Sequence, residues 1–124
     1  MQTINTTNAP KAIGPYSQAK LVNGFLYTSG QLPIDPKTNE MVEGIVAQAT
    51  MSCENVKAIL AEAGYSFDNV VKTTCYLSNM ADFGAFNEVY AKYFTNNPAR
   101  SCFAVKELPK NSLVEIEVIA YKHD

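Results

Sequence analysis

The segment from residue 113 to residue 121 constrains the fold of this 124-residue chain more than any other part of the sequence. Its side chains alternate between two faces, as in a β-strand. One face is wholly apolar and consists of Val114, Ile116, Val118 and Ala120. The other face is mixed and consists of Leu113, Glu115, Glu117, Ile119 and Tyr121. The first face predicts a sheet covered by helices, and the second favours burial in an oligomer, although an exposed antiparallel sheet tolerates some apolar residues.

Two segments with helical periodicity precede this strand. The first is predicted over residues 45–63, where apolar and small residues form one stripe and Gly64 follows as a C-terminal cap. The second begins after a cap near Asn79 and continues to about Phe94, before Pro98 prevents any further helix. Its apolar stripe consists of Phe83, Phe86, Tyr90, Tyr93 and Phe94.

The remaining elements are predicted to be strands. Residues 19–22 and 25–29 form a hairpin around Asn23-Gly24, because this pair accepts the positive φ angles of a two-residue turn. A further strand is expected over residues 70–77, which are rich in β-branched and aromatic residues, and another over residues 100–105. Two helices can cover only one face of such a sheet, so the order of elements predicts an α+β two-layer sandwich. With no repeat or linker, residues 1–124 are expected to form a single domain.

Composition excludes several classes of protein. The net charge is −2 and the lysines are scattered, so no nucleic-acid partner is expected. No apolar run approaches the roughly 20 residues that span a bilayer, and no signal-peptide pattern is present. The three cysteines show no metal-ligand spacing, which predicts free thiols, no metal site and a cytoplasmic location.

Two residue types occur once each and limit the possible chemistry. His123 is the only histidine and lies beside the C-terminus, which argues against histidine acid–base catalysis or a histidine metal site. Arg100 is the only arginine, so any two-pronged recognition of a carboxylate must use it. A plain surface arginine is the alternative interpretation.

Other candidates are weaker when each is taken alone. Glu115 and Glu117 share a face and could activate a water molecule, or they could be solvated edge residues. Asn87 lies in the stripe of the second helix and either lines a site or faces water at its border. Cys102 has no histidine or lysine in evidence to lower its pKa, which favours a small hydrophobe over a nucleophile. Tyr16 and Ser29 lie in loops or at strand ends, where sites tend to lie, but neither is diagnostic.

Separated motifs together resemble the RidA family, also called YjgF, over nearly the whole chain. The matching segments are NAPKAIGPYSQ at 8–18, YTSGQLP at 27–33, NVKA at 55–58, VKTT at 71–74, PARSC at 98–102, LPK at 108–110 and VEIEVIA at 114–120. The resemblance implies an α+β two-layer sandwich of a mixed β-sheet with two helices on one face, chorismate-mutase-like. It also implies a homotrimer whose sheets form a central barrel, with clefts between subunits.

The resemblance implies hydrolysis of 2-iminobutanoate and 2-iminopropanoate, which leave pyridoxal-phosphate dehydratases, to 2-oxo acids and ammonia. Arg100 would bind the substrate carboxylate and Glu115 would position the attacking water and move protons. Tyr16, Ser29 and Asn87 would line the cleft, while Gly30 and Cys102 would contribute backbone groups. No metal or organic cofactor is implied. Asn96-Asn97 replaces an aromatic that many members carry before PARS, which leaves the preferred side chain open.

The family also contains members described as ribonucleases or translation inhibitors, as ligand-sensing regulators and as chaperone-like proteins. A ribonuclease fits poorly, because the only histidine is terminal and no basic stripe with interleaved aromatics is present. A regulator that senses 2-oxo acids is the stronger alternative, because the same Arg100 pocket would serve it.

Overall fold

The computed structural model describes residues 1–123 as an α+β fold with one mixed sheet and two α-helices. The strands are β1 (Gln2–Ile4), β2 (Ala19–Val22), β3 (Phe25–Thr28), β4 (Ile34–Asp35), β5 (Glu40–Met41), β6 (Val70–Leu77), β7 (Ala99–Ala104) and β8 (Val114–Tyr121). The helices are α1 (Ile45–Glu62) and α2 (Phe83–Tyr93). Asp124, the end of the predicted domain, lies outside the described residues.

The main sheet has the strand order β1-β2-β3-β8-β6-β7. Strands β6 and β7 run parallel, and the other neighbours in this sheet are antiparallel. The parallel pair makes the sheet mixed, as expected, and leaves β7 at one edge. Strands β4 and β5 form a separate two-stranded ribbon before α1.

The core lies between the helices and one face of the sheet. On β8, Val114, Ile116, Val118 and Ala120 are buried there, which confirms the alternation read from the sequence. Phe86 and Tyr90 of α2, and Phe94 just after it, pack into the same core, whereas Phe83 and Tyr93 are only half-buried. Full burial of each large apolar side chain stabilises the fold by about 1.5–3 kcal/mol.

The opposite face of the sheet, called the open face below, carries no helix of the described residues. It contains Glu115, Glu117 and Ile119 of β8, each half-buried. Around them, Tyr27 is 44% and Phe103 is 45% exposed. An apolar surface of this kind is typical of a face that another protein chain covers.

Local signals placed most boundaries within a residue or two. Asn23 and Gly24 have φ angles of 50° and 84°, as the two-residue hairpin turn requires. Helix α1 ends at Glu62, and Gly64 follows with a φ angle of 80°, as expected of a C-terminal glycine. The second helix differs from its prediction, because Asn79 caps a short 3₁₀ turn, Met80–Asp82, and the α-helix begins only at Phe83.

Candidate active site

Arg100 is held on the helix side of the edge strand β7. Its register partner is Thr73, which is fully buried, and paired residues project from the same face of a sheet. The guanidinium donates a hydrogen bond from Nη1 to Oδ1 of Asn87 at 2.7 Å. Within the described residues, no other hydrogen bond of this guanidinium is found, so most of its five N–H donors can bind an anion.

Aromatic rings support the same guanidinium. Its central carbon lies 4.7 Å from the ring centroid of Tyr90 and 5.5 Å from that of Phe83, distances at which a cation is attracted to a ring face. The Tyr90 hydroxyl is 2.8 Å from Oγ1 of Thr73, and burial raises the pKa of this hydroxyl. The contact with Thr73 therefore holds the Tyr90 ring in place, and the Arg100 guanidinium packs against this ring in a defined position.

Cys102 lies two residues beyond Arg100 on the same face of β7, opposite Cys75 of β6. Its side chain is half-buried. The sequence offered no histidine or lysine to lower the pKa of this thiol. The structure shows two other groups that do so: a hydrogen bond from Cys75, which is the larger cause, and the positive charge of Arg100, against a desolvation that raises the pKa.

Glu115 belongs to a second group of polar residues, on the open face. A Cβ atom added to Gly30 would overlap Oε2 of Glu115, so the absence of a side chain at Gly30 makes room for this carboxylate. Burial first, and the neighbouring Glu117 second, raise the pKa of the Glu115 carboxyl. Glu117 itself accepts a hydrogen bond from the Tyr76 hydroxyl at 2.9 Å. Glu115 is therefore a carboxylate that can hold and release a proton closer to neutral pH than usual.

Backbone contacts fix the segment that carries Gly30. The Gln31 amide donates to the Ile116 carbonyl at 2.7 Å, and the Ile116 amide donates back at 3.2 Å. The Ser29 hydroxyl donates to the carbonyl of Ser17 at 2.6 Å, which joins this segment to the preceding loop. Tyr16 of that loop is 52% exposed.

A small cavity of about 70 Å³ connects this loop to Gly30 and is lined by both Tyr16 and Gly30, with Lys11 and Lys110 among its other residues. Three larger cavities of the described residues, of about 400, 510 and 340 Å³, are lined by none of the predicted site residues. The cavity of about 70 Å³ is too small for a substrate-sized ligand, and Glu115 is not among the residues that line it.

The predicted site residues thus form two groups. The arginine cluster contains Arg100, Asn87 and Cys102 on the helix side, and the glutamate cluster contains Glu115, Gly30, Ser29 and Tyr16. Strand β6 separates β7 from β8, at a spacing of about 4.8 Å per strand. Arg100 and Glu115 also leave opposite faces of the sheet, so one chain does not bring them together.

Sequence reasoning missed several supporting residues. Tyr90 was assigned only to the core, although its position three residues after Asn87 puts both on the side of α2 that meets β7. Thr73, which fixes Tyr90, belongs to the VKTT motif at 71–74 but was not assigned to the site. The contact between Gly30 and Glu115 joins residues far apart in sequence, and no local pattern indicates it.

Residues 1–123 contain no group of three or more histidine, cysteine or acidic side chains that could hold a metal ion. In the same residues, no helix is both long and apolar enough to cross a membrane.

The sandwich with an anchored guanidinium at one sheet edge defines a small α+β protein with a candidate anion site. A family profile described as Endoribonuclease L-PSP matches residues 6–122. The chain belongs to this family, which is also the family of RidA and YjgF. The resemblance seen in the sequence motifs is therefore confirmed.

Several relatives match almost end to end. A RutC family protein of Pyrococcus horikoshii is 54% identical over 98% of both chains. A protein of Salmonella typhimurium named 2-iminobutanoate/2-iminopropanoate deaminase is 46% identical over 98% of both chains. A protein of Lactococcus lactis that carries a regulator's name, AldR, is 52% identical over 97% of both chains. Names within the family therefore include an enzyme and a regulator.

Solved structures confirm the fold. The YjgF gene product of Escherichia coli superposes with a TM-score of 0.96 at 43% identity, covering 99% of this chain and 100% of that one. The structure of Escherichia coli TdcF with bound serine gives a TM-score of 0.96 at 41% identity, with the same coverage. At least one protein with this fold therefore binds a small amino acid.

Proposed function

We propose that this protein is an enzyme that hydrolyses reactive 2-imino and 2-enamino acids, such as 2-iminobutanoate and 2-iminopropanoate, to 2-oxo acids and ammonia. The observation that carries the proposal is the anchored guanidinium of Arg100, which is fixed by Asn87 and Tyr90 with N–H donors to spare. These substrates share a carboxylate beside the reacting carbon, and a planar guanidinium binds such a group in two-pronged fashion. The deaminase name of the Salmonella relative supports the same reaction.

The complete site is proposed to form between subunits of a homotrimer. The arginine cluster of one subunit would meet the glutamate cluster of the next, which resolves the placement of Arg100 and Glu115 on opposite faces of one sheet. The open faces of three sheets would then pack into a central barrel. The exposed Tyr27, Phe103 and Phe25 of that face support this packing, since burial of their apolar area drives association.

Within each cleft, Arg100 would neutralise and orient the substrate carboxylate. Glu115 would accept a proton from water as its oxygen attacks the imine carbon, and the carbon–nitrogen double bond would become single in a carbinolamine. Glu115 would return this proton to nitrogen, which completes the neutral carbinolamine. Glu115 would then carry a second proton from the carbinolamine hydroxyl to nitrogen, so that the carbon–nitrogen bond breaks as the carbonyl of the 2-oxo acid forms, and ammonia leaves. The raised pKa of Glu115 suits both transfers, and holding the two reactants in place supplies much of the rate.

The other members of the two clusters would shape the cleft. Tyr16 and Ser29 would border the substrate on the glutamate side, and Asn87 would orient Arg100 on the other. Gly30 and Cys102 would contribute backbone groups, and the Cys102 thiol would not act as the nucleophile. The imine carbon is already electrophilic, so the reaction requires no metal or organic cofactor.

In the cell, we place this activity in the cytoplasm, where it would protect pyridoxal-phosphate enzymes from their own reactive products. No nucleic-acid partner is proposed, because the net charge of −2 provides no general attraction to phosphates. This charge argues against ribonuclease activity despite the description of the family.

A regulator that binds 2-oxo acids without turnover is the second candidate, favoured by the regulator's name of the Lactococcus relative. The same arginine cluster would bind the ligand in both cases. Only hydrolysis requires Glu115, so turnover by the wild type separates the two functions.

The activity is tested by adding the purified protein to a threonine dehydratase reaction that contains semicarbazide as a competing imine trap. We expect more free 2-oxobutanoate and less semicarbazone than in the reaction without the protein. Lys57→Ala, which removes an exposed positive charge from α1, is the matched control for Arg100→Ala. Wild-type protein that gives the same result as the blank rejects the deaminase and leaves the regulator.

The shared cleft is tested by mixing two inactive variants, Arg100→Ala and Glu115→Gln, and allowing their subunits to exchange. Every mixed trimer would contain one cleft with both wild-type residues. Statistical mixing of equal amounts should therefore restore on the order of one quarter of wild-type turnover. Mixtures that stay inactive after exchange is demonstrated by mass would reject a site shared between subunits.

A further inference from the structure

We propose that Cys75 and Cys102 form a site of reversible oxidation by hydroperoxides, at which a disulfide joins strands β6 and β7 beside Arg100. This site is separate from the hydrolysis proposed above, in which neither thiol reacts.

The two cysteines are direct register partners in the parallel pair β6–β7, so their side chains project from the same face. Neighbouring strands lie about 4.8 Å apart, which falls within the Cα separation of about 4.4–6.8 Å that disulfides span. Both thiols are free in this structure. The backbone arrangement for a cross-link is therefore already present.

The surroundings of the two thiols differ in a way that assigns their roles. Cys75 is fully buried, whereas Cys102 is half-buried on the edge strand, where a small oxidant can reach it. The hydrogen bond from Cys75 and the nearby Arg100 lower the pKa of Cys102. The hydrogen bond to Cys102, and then burial, raise the pKa of Cys75. Cys102 is therefore the thiolate that reacts first, and Cys75 keeps its proton for the second step.

The reaction balances with one hydroperoxide. The Cys102 thiolate attacks a peroxide oxygen, the O–O bond breaks, and a sulfenic acid forms while the departing oxygen takes up a proton as water or an alcohol. The Cys75 sulfur then attacks the sulfenic sulfur, the S–O bond breaks and the Cys75 proton joins the departing hydroxide as water. Two thiols are oxidised to one disulfide, and one peroxide is reduced.

A series of contacts links the cysteine pair to Arg100. The Cys75 thiol can donate its proton either to Cys102 or to Oγ1 of Thr73, which lies 3.9 Å from its sulfur. Thr73 in turn contacts Tyr90, whose ring supports Arg100.

Cys53 provides a matched control within the same chain. It is fully buried in α1, and burial raises its pKa, so it has neither the access nor the thiolate character of Cys102. Trypsin separates the three cysteines into different peptides: residues 38–57 carry Cys53, 73–92 carry Cys75 and 101–106 carry Cys102.

The test exposes wild type, Cys75→Ser, Cys102→Ser and Cys53→Ser to hydrogen peroxide and follows them by intact and peptide mass. We expect wild type and Cys53→Ser to lose two hydrogens, to join peptides 73–92 and 101–106, and to revert fully with dithiothreitol. Cys75→Ser should instead retain one oxygen on Cys102 that dimedone traps, because no partner resolves the sulfenic acid.

Wild-type protein that only gains oxygen at Cys102, or that forms a disulfide between two chains, would overturn the proposal. So would a Cys75→Ser protein that still loses two hydrogens. The peptide map of the wild type decides the question even if a serine variant does not fold.

Discussion

The arginine cluster and the glutamate cluster lie on opposite sides of one sheet and differ in how completely a single chain builds them. On the helix side, Arg100 is positioned by a side-chain amide and by an aromatic ring that is itself hydrogen-bonded. On the open face, Glu115 lies against Gly30 but lines none of the four cavities described above. A single chain therefore holds the Arg100 guanidinium in a defined position, whereas the proposed water-activating half would need a neighbouring subunit to form its pocket.

The comparison predicts that the arginine cluster is responsible for binding. Arg100→Ala should lower both 2-oxobutanoate affinity and turnover, because a charge-assisted hydrogen bond contributes about 1.5–3 kcal/mol and two are lost. We expect a decrease of roughly two to four orders of magnitude, measured as the dissociation constant by calorimetry and as kcat/KM. The variant should keep the oligomeric state of the wild type on sizing. Near-normal catalysis would refute the anchor, and dissociation would indicate a structural role.

A change in the glutamate cluster should lower turnover without weakening the binding of the ligand. Glu115→Gln keeps the shape of the side chain but removes the proton acceptor, so hydrolysis should fall by about 10²–10⁴-fold. Binding of 2-oxobutanoate should stay within a factor of a few, because Arg100 is unchanged. Wild-type turnover in this variant would show that Glu115 is not the catalytic group. An equal loss of turnover and of 2-oxobutanoate affinity would show that the glutamate cluster also takes part in binding.

Gly30→Ala offers a steric way to disturb the same half. The added Cβ would overlap the Glu115 carboxyl and force it to another rotamer. We expect turnover to fall by on the order of 10²-fold, with an overpacking cost of about 1–3 kcal/mol in urea unfolding. In a protein that already carries Glu115→Gln, adding Gly30→Ala should cause almost no additional loss of turnover. Additive effects in the double variant would mean that Gly30 acts through some other contact.

The pH dependence of turnover should come from the glutamate cluster. The raised pKa of Glu115 means that kcat/KM falls as pH decreases through a value above the ordinary glutamate pKa, because the acceptor becomes protonated. Glu117→Gln removes the second cause of that shift, so the acid limb of the profile should move to lower pH. The affinity for 2-oxobutanoate should not show this decrease at low pH. A profile that is unchanged in Glu117→Gln would contradict the assignment.

Tyr90→Phe should have the smallest effect. The ring that supports Arg100 remains, but the hydroxyl bonded to Thr73 is lost, which should cost about 1–2 kcal/mol of unfolding free energy. Turnover should change by less than about threefold, and Tyr90→Leu, which also removes the ring, should lower carboxylate affinity further. Equal affinities in the two variants would show that the ring does not support the guanidinium.

Features with strong local signals were predicted from the sequence. The hairpin at Asn23-Gly24, the end of α1 before Gly64 and the alternation of β8 each depend on residues that are close in the chain. Short elements escaped this reasoning: Gln2–Ile4 pairs with β2, and Ile34–Asp35 pairs with Glu40–Met41, without a periodic pattern long enough to detect. Their stability comes from their partners rather than from their own sequence.

The candidate residues themselves came from the sequence, because a single arginine and an alternating glutamate pair are visible without coordinates. The sequence did not show how these residues are arranged in space. The face from which Arg100 projects depends on the parallel pairing of β7 with β6, and so does the pairing of Cys75 with Cys102. Parallel strands are joined by long connections, and no local rule sets their register.

The sequence by itself determined the class of fold, the mixed character of one sheet face and the candidate residue for carboxylate binding, since hydrophobic periodicity and residue chemistry are local properties. Only the tertiary structure decided that Arg100 and Glu115 lie on opposite faces, that Gly30 makes room for a carboxylate and that two thiols are neighbours. These relations arise from contacts between distant segments, whose geometry is fixed when the helices and strands pack into a common core.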